Sequence, residues 1–155
     1  MKFIPHGYQK FSIDYVLARP VCCLFLSMGL GKSIIILTAL RQLLESGRAK
    51  RILIIAPLRV GRQSWPLEIL KWDHTRGLSY AVAIGSEKER RKALDSQATI
   101  TIINRENIPW LVNTYFEGNV MSWPSFQSNG STRDISRGAF LFLAELSLSC
   151  YTNLD

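Results

Sequence analysis

Gly29, Gly31, Lys32 and Ser33 stand together in "LSMGLGKS" (26–33), between the apolar runs "VCCLFL" (21–26) and "IIILTAL" (34–40). These residue types in this order suit the binding of a phosphate chain. Glycines let the backbone adopt positive φ and approach a ligand closely, and successive N–H groups at the start of a helix favour an anion. A lysine at position 32 can reach β and γ phosphates, and a hydroxyl at position 33 can ligate Mg²⁺. The full phosphate-loop pattern has a further glycine five residues before the glycine of GK[ST], and Leu26 occupies that place. The alternative is a tight turn followed by an ordinary first-turn lysine. A cation at the positive end of a helix is unfavourable by about 0.3–1 kcal/mol, so Lys32 argues for an anionic partner.

The surrounding sequence has to position that loop. "YQKFSIDYVLA" (8–18) brings Phe11, Val16 and Leu17 close to helical spacing, and Pro20 stops it. "VCCLFL" is a continuous apolar run and predicts a strand, and "KSIIILTALRQLLESG" (32–47) predicts a helix closed by Gly47. The unit repeats: strand 51–57, helix 59–73 with Trp65, Ile69 and Trp72 on one side, strand 79–85, charged helix 86–95, strand 98–104. Four apolar strands alternating with three helices imply parallel right-handed crossovers, and so an α/β sheet with helices on both faces.

With "HGYQK" (6–10) upstream and "ILIIAPLRV" (52–60) downstream of "MGLGKS", the chain resembles the N-terminal RecA-like lobe of superfamily 2 helicases, in particular the Swi/Snf-type DNA-dependent ATPases and their phage-borne relatives. The likeness spans roughly residues 5–118. It implies a P-loop NTPase fold, present as an incomplete single lobe, with ATP and Mg²⁺ as cofactors. By that resemblance Tyr8 and Gln9 recognise adenine, and Met28, Gly29, Leu30, Gly31, Lys32 and Ser33 hold the phosphates, with Ser33 on Mg²⁺. Gln9 offers both a donor and an acceptor, as an adenine edge requires. Relatives usually carry threonine at position 33 and often an acidic residue at position 27; the first exchange keeps the hydroxyl, the second loses a charge.

The resemblance also places the strand-end motifs "APLRV" (56–60) and "INREN" (103–107) along nucleic acid, with Arg59, Arg62, Asn104 and Arg105 as candidate contacts. Duplex DNA is the favoured partner, and RNA is left open. The formal charge of +7 is compatible with an acidic polymer. The alternating run "EKERRK" (87–92) reads instead as a solvated helix face. His6 and His74 have no partner at metal-ligand spacing and receive no role.

ATP hydrolysis needs carboxylates beside Mg²⁺ and the attacking water. The family uses consecutive Asp-Glu, and the chain has no such dipeptide. The nearest approach is "FLFLAELS" (140–147), where Ala144 replaces the aspartate and Glu145 stands in for the base. Residues 119–155 form an atypical tail, rich in Ser, Gly and Asn, whose change of character fits a changed reading frame. A second RecA-like lobe is absent from these residues. The expectation is therefore a helicase-like ATP-binding lobe that binds nucleotide more readily than it turns it over. The rivals are a non-catalytic nucleotide-binding remnant or regulatory module and, less favoured, a small P-loop kinase. The longest uncharged apolar run, Val21 to Leu30, falls well short of the ~20 residues of a membrane span. The N-terminus does not read as a signal peptide, and three cysteines without paired spacing suit a reducing, cytoplasmic setting.

Overall fold

The computed structural model describes residues 1–19, 21–114 and the backbone of 142–144. Most of the tail, 119–155, lies outside the described residues.

Four parallel strands form one sheet: β1 (Ile52–Ala56), β2 (Tyr80–Ala83), β3 (Ile100–Asn104) and β4 (Phe142–Ala144), in the order β2-β3-β1-β4. The central strand β1 aligns Ile52 with Ile100 and Ala56 with Asn104, so β1 and β3 end side by side. Alternation along the strands sends side chains to two cores. Ile52, Ile54, Ala56, Ile100 and Ile102 face α1 (Gly7–Ala18), α2 (Lys32–Glu45) and α3 (Trp65–Lys71). Leu53 and Ile103 face α4 (Glu87–Asp95) and α5 (Ile108–Val112), through Ala93, Leu94 and Leu111. The sheet is thus covered on both faces, and truncating the fully buried Ile54 to alanine costs about 2–5 kcal/mol.

Helix α2 is buried around much of its circumference, at Ile34, Ile35, Ile36, Leu37, Ala39, Leu40 and Leu43, and α1 packs against it. It ends where Gly47 takes φ +69° and Ala49 N–H closes on the Leu43 carbonyl at 3.0 Å. A short connection then enters β1. Running back against β1 over about 21 Å, at 1.5 Å per residue, α2 has its start at the carboxyl edge of the sheet.

Two expectations need correction. The run "VCCLFL" pairs with no strand among the described residues; its backbone is irregular, with Cys22, Leu24 and Leu26 turned to the core and Val21, Cys23 and Phe25 outward. A one-sided alternation of that kind needs a single packing face, whereas a continuous apolar run suggested burial on both. In α1 the inward stripe is Gln9, Ser12, Ile13 and Val16, at helical i, i+3, i+4, i+7 spacing, and Phe11 is 69% exposed beside Tyr15.

After β1 the chain makes a π-helical turn, Val60–Ser64, before α3. Gly61 lies against the sheet there: a Cβ on it would stand 3.1 Å from Ile84 Cδ1 and 3.3 Å from Ile102 Cγ2. Trp65 and Ile69 join the core, while Trp72 is half-buried, donates to Glu68 Oε2 at 2.8 Å and meets the edge of Phe3.

Candidate nucleotide and nucleic-acid site

The loop before α2 has two left-handed glycines, Gly29 at φ +81° and Gly31 at φ +75°. Gly31 is the N-cap of α2 and has no side chain with which to satisfy the helix's first N–H groups. Those groups are orphans at any helix start, and here no acidic residue stands in the first turn. Space around Gly29 is open, whereas a Cβ on Gly31 would meet Gln9 Nε2 at 2.8 Å. Lys32 folds back over the loop, its Nζ donating to the Leu26 carbonyl at 2.9 Å and the Ser27 carbonyl at 3.2 Å. The half-buried Ser33 hydroxyl makes no hydrogen bond among the described residues. Unsatisfied donors, an ammonium and a hydroxyl at one helix start form the donor set of a Mg-phosphate cradle, and the residues fit such a group.

Helix α1 closes one side of this loop. Tyr8 Oη donates to the Leu30 carbonyl at 3.2 Å, and Gln9 Nε2 donates to the same oxygen at 3.3 Å. Gln9 Oε1 accepts from the His6 backbone N–H at 2.9 Å, and the His6 and Tyr8 rings stack at 5.9 Å. The structure therefore brings Tyr8 and Gln9 to the Gly29–Ser33 loop, with Gln9 buried and its amide shared between the start of α1 and Leu30. Met28 is 87% exposed at the tip of the turn.

Arg59 and Arg62 follow β1, Asn104 ends β3 and Arg105 follows it, so the two strand-end loops leave the same sheet edge as neighbours. Arg59, Arg62 and Arg105 are exposed; Asn104 is buried. In the second loop Glu106 accepts from Asn104 Nδ2 at 2.8 Å and from Arg105 Nε at 3.1 Å. The Asn104 bond, ahead of the backbone and Arg105, holds the Glu106 carboxyl below its ordinary value. Asn104 thus braces its loop from inside, and Arg105 is the cation on its surface. Glu145 lies outside the described residues; β4, the strand before it, runs parallel to β1 with Ala144 level with Ile55.

Two features escaped the sequence reading. The run read as a solvated face carries Arg90, whose Nη1 donates to the Gly85 carbonyl at 2.6 Å and whose guanidinium lies 4.2 Å from the centre of the Trp110 ring. His74, given no role, joins α3's end to α2. Thr38 Oγ1 donates to the Ile34 carbonyl at 2.7 Å, so its 2.9 Å contact with His74 Nε2 requires the proton on that ring nitrogen. Phe3 stacks on the same ring at 5.7 Å, and burial, then Arg41, lowers its pKa.

A parallel sheet covered on both faces, with a glycine-rich loop opening α2, defines an α/β lobe of RecA-like architecture. The chain belongs to the SNF2-related domain family, whose profile matches residues 8–127. It is similar to the "Putative protein p41" of Acyrthosiphon pisum secondary endosymbiont phage 1, 38% identical over 124 residues that make up 79% of this chain and 26% of the phage protein. Its fold is similar to that of the Sulfolobus solfataricus SWI2/SNF2 ATPase core in complex with dsDNA, with a TM-score of 0.58, 22% identity, and 67% of this chain and 22% of that one covered. The chain therefore spans about a quarter of the length of either relative. Among the described residues no helix is long and apolar enough to cross a membrane.

Proposed function

We propose that this lobe holds Mg-ATP on the Gly29–Ser33 loop and lies with its strand-end loops along duplex DNA, as the front lobe of an ATP-driven DNA translocase. The start of α2 carries the reading: two left-handed glycines, no side-chain cap, and Lys32 resting on carbonyls that anionic oxygens can replace. The backbone N–H groups and Lys32 hold the β and γ phosphates, and the Ser33 hydroxyl ligates the metal. Bound Mg²⁺ neutralises phosphate charge. Tyr8 and Gln9 stand at the adenine end, with Met28 and Leu30 flanking the loop. Arg59, Arg62 and Arg105 meet DNA phosphates, and Asn104 holds Glu106 and so Arg105 in place. The duplex preference rests on the dsDNA of the Sulfolobus complex.

With no Asp-Glu dipeptide in the sequence, the chain binds nucleotide and turns it over slowly, with Glu145 the candidate base. Residues 1–118 form the body of the lobe and 119–155 an atypical tail, of which Phe142–Ala144 adds β4 to the sheet beside β1. The missing dipeptide favours one other reading, a nucleotide-binding remnant or regulatory module without DNA-coupled hydrolysis.

Phosphate release and binding to duplex DNA, single-stranded DNA and RNA test these assignments. Duplex binding should fall with salt, and Arg59→Ala and Arg105→Ala should each flatten the log–log salt slope by about 0.9. DNA-stimulated release that Glu145→Gln removes would show a completed site. Absence of binding to any nucleic acid would overturn the translocase reading in favour of the remnant.

A further inference from the structure

The loops at the sheet's carboxyl edge are joined by a bridge outside the motifs. After β2, Gly85 takes φ +119° and Ser86 caps α4. One turn into that helix Arg90 reaches back to the Gly85 carbonyl and across to the Trp110 ring in α5, the helix that follows the Asn104–Asn107 loop. Arg91 lies 5.9 Å from the centre of the same ring and donates to Glu87 at 2.7 and 2.9 Å. Arg90 is half-buried, and its Nε is shielded from solvent with no hydrogen-bond partner among the described residues. A guanidinium desolvated in this way gains more from an aromatic face than an exposed one. Arg62, after the bonds from Ser86, helps to lower the Glu89 carboxyl's pKa.

We infer that Arg90 is a positioning residue for the nucleic-acid face: held between the Gly85 carbonyl and Trp110, it sets the placement of the Asn104–Asn107 loop relative to the β2–α4 turn, and so of Arg105 relative to Arg62. Arg90 acts through Trp110, not by touching phosphate. This rests on the nucleic-acid reading for its consequence; the placement of the loop is measurable without DNA.

The experiment uses the full chain and four variants: Arg90→Ala, Arg90→Lys, Arg105→Ala and the Arg90→Ala/Arg105→Ala pair. Amide exchange across residues 104–107, without nucleic acid, should speed up in Arg90→Ala and return toward the parent in Arg90→Lys, which keeps a cation for the ring. Duplex DNA affinity, measured well below the unfolding temperature, should weaken about tenfold in Arg90→Ala. The Arg105→Ala effect should largely vanish in the Arg90→Ala background, because a misplaced Arg105 has little left to lose. Unchanged exchange at 104–107 would overturn the placement. Additive losses would overturn it in favour of a direct Arg90–phosphate contact. Faster exchange in Arg90→Ala, in a chain whose parent binds no DNA, would uphold the brace as a loop-placing device and overturn its nucleic-acid role, together with the translocase reading.

Discussion

Helices α2 and α4 both start at the carboxyl edge of the sheet, and they start in opposite ways. At α4, Ser86 is the cap, Ser86 N–H and Oγ donate to Glu89 Oε2 at 2.7 Å each, and Glu89 N–H returns to Ser86 Oγ at 3.4 Å. The helix start is satisfied by its own residues. At α2, Gly31 caps with nothing, the first turn holds no acid, and a lysine stands where a carboxylate would be favoured. One start is closed by its own residues; the other leaves its first N–H groups without a side-chain cap. Sequence distance from a sheet edge does not separate the two, but the identity of the cap does.

The largest effect expected from disturbing this contrast comes from Gly31→Ala. A methyl group there meets Gln9 Nε2 at 2.8 Å with φ at +75°, a conformation costing an ordinary residue about 1–2 kcal/mol. Mg-ATP affinity should drop about five- to thirtyfold, given 1.4 kcal/mol per decade, and isothermal titration checks it. Next is Gly61→Ala, which leaves both helix starts intact and presses on Ile84 and Ile102; denaturant unfolding should show a loss of about 1–3 kcal/mol with nucleotide affinity retained. Ser86→Ala breaks the closed start and should cost about 1 kcal/mol of stability without altering Mg-ATP binding, the reverse of the Gly31→Ala pattern.

The smallest effect is in pH. Hydrogen bonds from the Ser86 side chain and backbone hold the Glu89 carboxyl below its ordinary 4.5. A depressed carboxyl adds stability that is fully present above pH 4.5 and is lost as pH falls through the lower folded value. Thermal midpoints between pH 6 and pH 3 should therefore fall less steeply in Ser86→Ala than in the parent. Equal slopes would show that the capping carboxylate contributes nothing.

The parallel strands were legible because Ile52–Ala56, Tyr80–Ala83 and Ile100–Asn104 are short apolar runs between helical segments, and the left-handed turn into α2 because Gly29 and Gly31 stand just before it. Other features depended on contacts distant in sequence. The inward stripe of α1 includes Gln9 and Ser12, which bury themselves by bonding to Leu30 and to the Tyr8 carbonyl, so hydrophobic spacing pointed to Phe11 instead. Residues 21–26 are apolar on both sides, yet only one side packs on the core. Charge alternation in 87–92 describes the Glu87–Arg91 pair correctly but is silent on Arg90, whose ring partner lies twenty positions on.

The open start of α2 is proposed to bind phosphate through Lys32. Calorimetric titration of Mg-ATP into the chain and into Lys32→Ala tests it most directly. Saturable binding by the parent, lost in Lys32→Ala while both proteins unfold at similar temperatures, is the result predicted here. Equal binding by the two proteins, or none by a folded parent, would contradict it.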